Sequence, residues 1–427
     1  MAKKYLLFGL GRTNLALLDL ILKVEPEVLI QISLDGDVTQ VPINLRPLYL
    51  PFTELPNHSF DAIFVVPGVP ASHPVYDMGQ VHNEIEYAAR FMQKTRFIGI
   101  TGSVGKSTAT MLLSSMLRHL GYTSEVAGNI GIPLSSLAIK AFDQEPPDFV
   151  VLELSSFQLH VLKGLCLDTA ILLNLEPNHL DWHRSYQEYQ TDKLRIFDFL
   201  DAGRLGLCSK DLMHRPKAGK VLPLDSCHRG LGLNGSEIWF QNAKIGNVPE
   251  AVASFAWSYS CCAGMLQLLG LYEKSRFEDF SFSGLNHRMQ TIGTVKGVRF
   301  IDDSKSTAPA STMFALRSMP EENFTLILGG KSKGVNLSVF IKDLCEFKQR
   351  ISLLVLYGDM IPMALEFKQA GFFVIFARQW EEMLLGLMEN REFWGSAVLL
   401  SPAMSSLDQF VSFEARGIAF REFIQKI

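Results

Sequence analysis

The sequence predicts an α/β protein built as three successive blocks, and three observations carry that expectation. Short apolar runs of strand length alternate with segments of helical period along the chain. Those runs repeatedly end in glycine-rich or polar clusters, as strands of an open parallel sheet do at their carboxyl edge. The 427 residues exceed what one hydrophobic core serves, and 48% hydrophobic with 20% charged residues suits central strands covered on both faces.

In the first block, residues 5–11 (YLLFGLG) read as a strand running into a turn, 15–22 as a helix and 28–33 (VLIQIS) as a second strand, with DAIFVVPG as a third. The opening MAKKYLLFGL has two lysines and a short apolar run, but GRTN follows where a leader would carry a small-residue cleavage site, so it is assigned to the first strand. The GLGRTN turn resembles a dinucleotide fingerprint in which Asn14 replaces the third glycine, leaving a nicotinamide, a modified nucleotide and a plain structural turn all open. A helix over residues 83–93 leads to Thr95 and Arg96, which puts the first boundary near residue 94.

The second block opens on IGITGSVGKSTAT, residues 98–110, which makes an apolar strand, a glycine-rich turn and a helix start in one pass. Gly102 and Gly105 allow consecutive N–H groups of the Gly102, Ser103, Val104, Gly105 loop to converge on a phosphate at the positive end of the helix. Lys106 then reaches the outer phosphates, and the Ser107 or Thr108 hydroxyl joins a Mg²⁺ shell. Ile100 occupies the place of the general motif's first glycine. Strands follow at residues 123–127 and 149–152, the latter delivering Glu153 to the sheet's carboxyl edge, where a buried carboxylate needs an ion partner or a metal. Residues 170–173 repeat the pattern and end in Asn174, His179, Asp181 and His183, and Lys193 falls inside a helix. Residues 201–249 read as short strands and turns, and 253–271 as a buried helix.

From residue 283 a third alternation appears, with strands at 299–302, 324–329, 353–357, 372–376 and 397–400. Its first strand ends in DDSKST, its second in GGKSKG and its last in SPAMSSLDQF, which places three polar clusters on one sheet edge and in one cleft.

Composition excludes several classes. A net charge of −4 gives no long-range attraction to nucleic acid or anionic membrane, and no apolar stretch approaches the roughly 20 residues that span a bilayer. The six cysteines lack paired metal spacing, so reduced, buried thiols in a cytoplasmic protein are expected.

Assembled in order, TGSVGKST, GNIGIP, LELSSFQL, LNLEPNHLD, DKLRIF, GLNHRMQ, IDDSKST, LGGKSKG and LSPAMSSLDQF resemble the Mur ligase family over residues 99–413, and VPGV with the GLGRT turn extends the likeness to the first block. The LELSSFQL and SPAMSSLDQF runs are most similar to the branch that adds D-glutamate to UDP-N-acetylmuramoyl-L-alanine. The resemblance implies a Rossmann-like domain for the UDP-sugar over residues 1–94, a central P-loop ATPase domain over 95–283, and a C-terminal Rossmann-like domain over 284–427 that binds the amino acid and closes over the cleft. It implies an ATP-dependent, cytoplasmic, monomeric ligase of peptidoglycan precursor synthesis with small-molecule substrates. A substrate carboxylate takes the γ-phosphoryl group of ATP as an acyl phosphate, and the D-glutamate amine then displaces phosphate.

Residue roles follow by motif. Ser107 (or Thr108) and Glu153 would hold one Mg²⁺, and His179 a second together with a carbamylated Lys193. His287 and Arg288 would serve ATP, with Arg288 on its phosphates, Asp303 on its ribose and Lys305 near its phosphates. Thr307, Lys333, Ser406, Leu407 and Phe413 match the D-glutamate positions, while Arg12, Thr13, Gly68, Asn129 and His179, with Ser33 by residue count, match the UDP-sugar positions. The chain departs from the family pattern in three places. SFAWS replaces the adenine-contacting HNxxN, so Phe255 and Ser258 stand for asparagines; Arg12 and Asn14 replace small or apolar residues; and Lys331 stands beside Lys333 as a second candidate cation. The rival expectations are another Mur or folylpolyglutamate-type ligase, a P-loop ATPase that hydrolyses ATP to change shape, and an oxidoreductase built on GLGRTN.

Overall fold

A computed structural model describes residues 2–178, 182–212, 220–319, 321–332 and 337–427 of the chain. These separate into two compact units, 1–282 and 283–427.

The first unit holds two sheets. The smaller contains β1 (Lys4–Phe8), β2 (Leu29–Ser33), β3 (Ala62–Val65) and β4 (Val81–His82), all parallel, in the order β2-β1-β3-β4. Helix α1 (Arg12–Val24) buries Leu17, Leu18, Leu20 and Ile21 on one stripe. Asn14, at the third fingerprint position, is buried, and its amide donates to the carbonyls of Phe8, Gly9 and Phe64. It thereby ties β1, the turn and β3 together, a task the glycine of the usual fingerprint could not perform. Helix α2 (Glu84–Ala89) starts on an Asn83 cap and stops short of the expected residue 93, because the chain tightens into three-residue turns at Phe91 and Met92.

The larger sheet uses β5 (Arg96–Thr101), β6 (Ser124–Gly128), β7 (Phe149–Glu153), β8 (Thr169–Leu172), β9 (Leu205–Ser209), β10 (Lys220–Leu224), β11 (Leu231–Asn234), β12 (Glu237–Phe240) and β13 (Ala243–Asn247). Its order is β13-β12-β11-β10-β9-β8-β5-β7-β6, parallel except where β12 turns back along β11 and β13. Helices α3 (Lys106–His119), α4 (Leu134–Lys140), α5 (Ser156–Val161), α6 (Tyr186–Leu194) and α7 (Ala256–Leu268) complete this part. Leu112, Leu113, Met116 and Leu117 of α3 are fully buried, each contributing about 1.5–3 kcal/mol by leaving water. The two sheets share a core: Tyr5, Leu17 and Ile85 cluster with Leu134, Val150 and Leu152. Glu84 enters that junction and accepts the Ser135 N–H of α4 at 2.5 Å.

The second unit holds β14 (Gln290–Val295), β15 (Val298–Asp302), β16 (Phe324–Gly330), β17 (Ile351–Gly358), β18 (Val374–Ala377) and β19 (Ala397–Ala403), in the order β14-β15-β19-β16-β17-β18. Only the β14–β15 hairpin is antiparallel; β14 went unnoticed in the sequence, although Lys296 and Gly297 both take the positive φ of a tight hairpin turn. Helices α8 (Pro309–Ser318), α9 (Ser338–Leu344), α10 (Ala364–Gln369), α11 (Trp380–Glu389) and α12 (Phe413–Gln425) cover the sheet. Every cysteine is a free thiol, but Cys166 and Cys345 are exposed, so burial holds only for part of the set. Among the described residues no helix is long and apolar enough to cross a membrane.

Candidate active site

In the larger sheet the strand order reverses about β5, because β7 lies on one side of it and β8 on the other. A crevice forms at such a switch point, outside the strand ends. Three neighbouring strands therefore deliver Thr101 and the glycine loop (β5), Glu153 (β7) and Asn174 (just past β8) to one place.

Gly105 precedes α3 with φ of 84°, a left-handed conformation that closes the loop onto the helix N-terminus. Ile100 is a fully buried strand residue of β5, so the loop opens at Gly102 and the motif's missing first glycine is not needed. Asn174 braces the loop by accepting from Val104 N at 2.9 Å and donating to Val104 O at 3.0 Å. Ser103 Oγ meets the Tyr189 hydroxyl of α6 at 2.7 Å. Lys106 folds back so that Nζ donates to Gly102 O at 2.7 Å and Ser103 O at 3.0 Å.

Glu153 is 1% exposed, and Asn129 donates its side-chain amide to Oε1 at 2.7 Å while its backbone N–H reaches the Glu153 carbonyl at 2.9 Å. Oε2 is buried with no hydrogen-bond partner among the described residues. The approach is close because Gly128, at φ of 96°, lies where a Cβ would strike the Glu153 backbone. Lys193 is 2% exposed; Nζ donates to Gly102 O at 2.9 Å and to Thr101 Oγ1 at 3.3 Å. Burial first, and the Lys106 ammonium second, hold this amine well below the ordinary lysine range, against the opposing pull of Glu153 and Asp192. Asp192, its neighbour on α6, pairs with His160 Nδ1 at 2.8 Å and His183 Nδ1 at 3.4 Å, and His183 Nε2 meets Ser156 Oγ at 2.9 Å. Burial raises the Asp192 carboxyl, but the two histidines outweigh it and hold it below the usual range. This network fixes α6, and with it Lys193, against α5.

The first-sheet candidates lie near the β1–α1 turn. Ser33 is fully buried at the end of β2, and its carbonyl accepts from Gly9 N at 2.7 Å, whereas Arg12 and Gly68 are exposed. His179, Asp181 and Lys333 lie outside the described residues.

In the second unit, β15, β19 and β16 are neighbours, so the DDSKST, SPAMSSLDQF and GGKSKG clusters do share an edge; Lys331 and Ser405 exchange backbone hydrogen bonds there at 2.7 and 3.2 Å. His287 stands at φ of 63°, rare for a side chain with a Cβ, and its Nδ1 lies 2.7 Å from Asp302 Oδ2. Phe413 at the start of α12 faces the His287 ring at 6.2 Å and the Lys305 ammonium at 5.4 Å. Burial pushes the Asp303 carboxyl up to about 6 against hydrogen bonds from Ser306 and Ser401 and the charge of Arg288. Ser401 Oγ donates to Asp303 at 2.6 Å. Ser406 is buried, Thr307 half-buried and Leu407 exposed on this edge. Sequence reasoning missed Tyr189, Ser401 and Arg416. Only Ser401, inside a quoted motif, carried a signal.

The Mur ligase middle domain family matches residues 100–272. The chain is 32% identical to the UDP-N-acetylmuramoylalanine–D-glutamate ligase of Desulfitobacterium hafniense, over 99% of this chain and 98% of that one. It is 30% identical to the ligase of the same name from Aquifex aeolicus, again over 99% and 98%. Among solved structures, the MurF ligase of Thermotoga maritima in complex with ADP shares the fold at a TM-score of 0.59 and 17% identity, covering 86% of this chain and 90% of that one.

Proposed function

The chain belongs to the Mur ligases, in the branch of the UDP-N-acetylmuramoylalanine–D-glutamate ligases, and from that premise we propose how its residues perform the reaction. It is an ATP-dependent ligase that joins D-glutamate to UDP-N-acetylmuramoyl-L-alanine in peptidoglycan precursor synthesis. The observation that carries the reading is the gathering of Lys106, Lys193 and the partnerless Glu153 oxygen around the glycine loop at the switch point.

A buried carboxylate oxygen without a donor is what a hard cation satisfies, so Glu153 Oε2 with the Ser107 hydroxyl fits Mg²⁺. Lys193 fits a carbamate, because burial favours its neutral amine, the form nucleophilic toward CO₂, and the product supplies oxygen ligands that an ammonium cannot. His179 completes the assigned metal set. When bound, two Mg²⁺ ions would supply charge neutralisation between the ATP γ-phosphate and the attacking carboxylate.

The protein groups do the rest. Backbone N–H groups of residues 102–108 seat the phosphates, and Lys106 swings from the loop carbonyls to the transferring phosphoryl group, where it offsets developing charge. Asn129 holds Glu153 in one orientation, and the His160–Asp192–His183 network holds Lys193. Arg288 is assigned to the ATP phosphates, His287 and Lys305 to the same nucleotide, and Asp303 to its ribose. Arg12, Thr13, Ser33, Gly68 and Asn129 are assigned to the UDP-sugar, and Thr307, Lys333, Ser406, Leu407 and Phe413 to D-glutamate. Phe255 and Ser258 take the place of the asparagines at the adenine. The domains run 1–94, 95–283 and 284–427, and the enzyme works as a cytoplasmic monomer on small molecules.

The test is a mass-spectrometric product assay with UDP-N-acetylmuramoyl-L-alanine against L-alanine, D- and L-glutamate and diaminopimelate, alongside ADP release. Product with D-glutamate and ADP release dependent on both acceptors are expected. ADP at the full rate without either acceptor would instead describe an ATPase switch.

A further inference from the structure

Arg416, in the first turns of α12, heads the large side chains that are fully buried. No carboxylate among the described residues pairs with it. Nη1 donates to Tyr357 OH at 3.0 Å and Gly329 O at 3.4 Å, Nη2 donates to Ser304 O at 2.8 Å and Met404 O at 3.2 Å, and Nε has no partner among those residues. The four acceptors sit at the carboxyl ends of β16, β17, β15 and β19, which are contiguous in the sheet. Gly330 makes room: a Cβ there would meet Ser405 O and lie 3.0 Å from Nη1.

A guanidinium in a dry site without a counter-charge is costly, and neutral oxygens offset only part of that cost. A side chain that merely filled space would not carry this penalty. What the side chain does achieve is specific: it ties together the ends of β15, β16 and β19, just ahead of Thr307, Lys331, and Ser406 with Leu407.

We propose that Arg416 is a positioning residue of the amino-acid pocket, locking together the three strand ends that carry its loops. The inference rests on the assignment of D-glutamate to these loops.

Arg416→Met, Arg416→Lys and Tyr357→Phe are compared with Thr307→Val for KM and kcat toward D-glutamate and UDP-N-acetylmuramoyl-L-alanine, after thermal melts show each is folded. Arg416→Met raises KM for D-glutamate by at least about tenfold, the size of one charge-assisted hydrogen bond, with the UDP-sugar KM unchanged. Arg416→Lys raises that KM by a smaller factor, since an ammonium reaches some of the four acceptors but lacks the fork. A wild-type D-glutamate KM in folded Arg416→Met overturns the proposal; if that variant does not fold, wild-type values in both Arg416→Lys and Tyr357→Phe do so. A wild-type KM in Thr307→Val as well removes the pocket from these loops, and the role of Arg416 with it.

Discussion

Removing the Lys193 amine, or the CO₂ proposed to modify it, is expected to abolish most ligation. Nζ of Lys193 and Nζ of Lys106 lie 2.9 and 2.7 Å from the same Gly102 oxygen. They are therefore no more than about 5.6 Å apart, and two unit charges at that distance repel by about 3 kcal/mol at an effective dielectric of about 20. Lys193 is the deeper of the two, and desolvation, with the Lys106 charge, holds its amine well below the ordinary lysine range. An amine pushed toward its neutral form on the glycine loop is the one that would take up CO₂. Lys193→Ala should lower kcat/KM by at least about 10²-fold, the usual effect of losing a group that organises charge in the transition state. Formate or acetate, entering the vacated space, should restore part of the rate. The assay is coupled ADP release with and without bicarbonate, together with ¹³C NMR of enzyme equilibrated with ¹³C-bicarbonate, where the wild type shows a carbamate resonance that the variant lacks. Wild-type turnover by Lys193→Ala, or no carbamate signal and no effect of CO₂ depletion on the wild type, refutes the reasoning.

Glu153→Gln keeps an acceptor for Asn129 but removes the charge, and should raise the Mg²⁺ concentration for half-maximal rate by about tenfold or more, read as ADP release against Mg²⁺. An unchanged Mg²⁺ dependence would show that Glu153 holds no metal. Burial pushes the Glu84 carboxyl up to about 7 from 4.5 in spite of its bond from Ser135 N. The unfolded chain ionises first, so wild-type stability falls as pH rises from 4.5 to about 7 and stays lower above it. Glu84→Gln should then match the wild type below pH 4.5 and exceed it by up to about 3 kcal/mol at pH 8, with urea titrations as the measurement; a pH-independent difference contradicts this. Asn14→Ala removes the amide that joins three carbonyls and should cost about 1–3 kcal/mol in the same titrations, whereas an effect under about 0.5 kcal/mol would make the amide incidental.

The central site was legible wherever local chemistry dictated it. A buried four-residue strand that ends in glutamate, and a glycine loop that opens a helix, announce their place at a sheet edge because neither tolerates another one, and Glu153 and Lys106 lie there. Lys193 was readable only through its motif: in helical spacing a lysine is ordinarily solvated, and its burial depends on β5 lying across it. Arg416 left no trace for the same reason. Four acceptors contributed by four strands cannot be inferred from an arginine in an amphipathic run. The strand β14 escaped because its residues are half exposed and show no clean alternation. Asn14 was correctly seen as a departure from the fingerprint, but the three carbonyls it joins come from segments as far apart as Phe8 and Phe64.

The common core beneath β1–β4 and β5–β13 has a practical meaning for anyone wishing to exchange modules among these ligases. A fragment ending near residue 94 would display Ile85, Tyr87 and Leu17 to water, and would be prone to aggregate. A graft that respects the chain's own seams would cut near Phe282, and a chimera joined there should keep a calorimetric endotherm for each parental half.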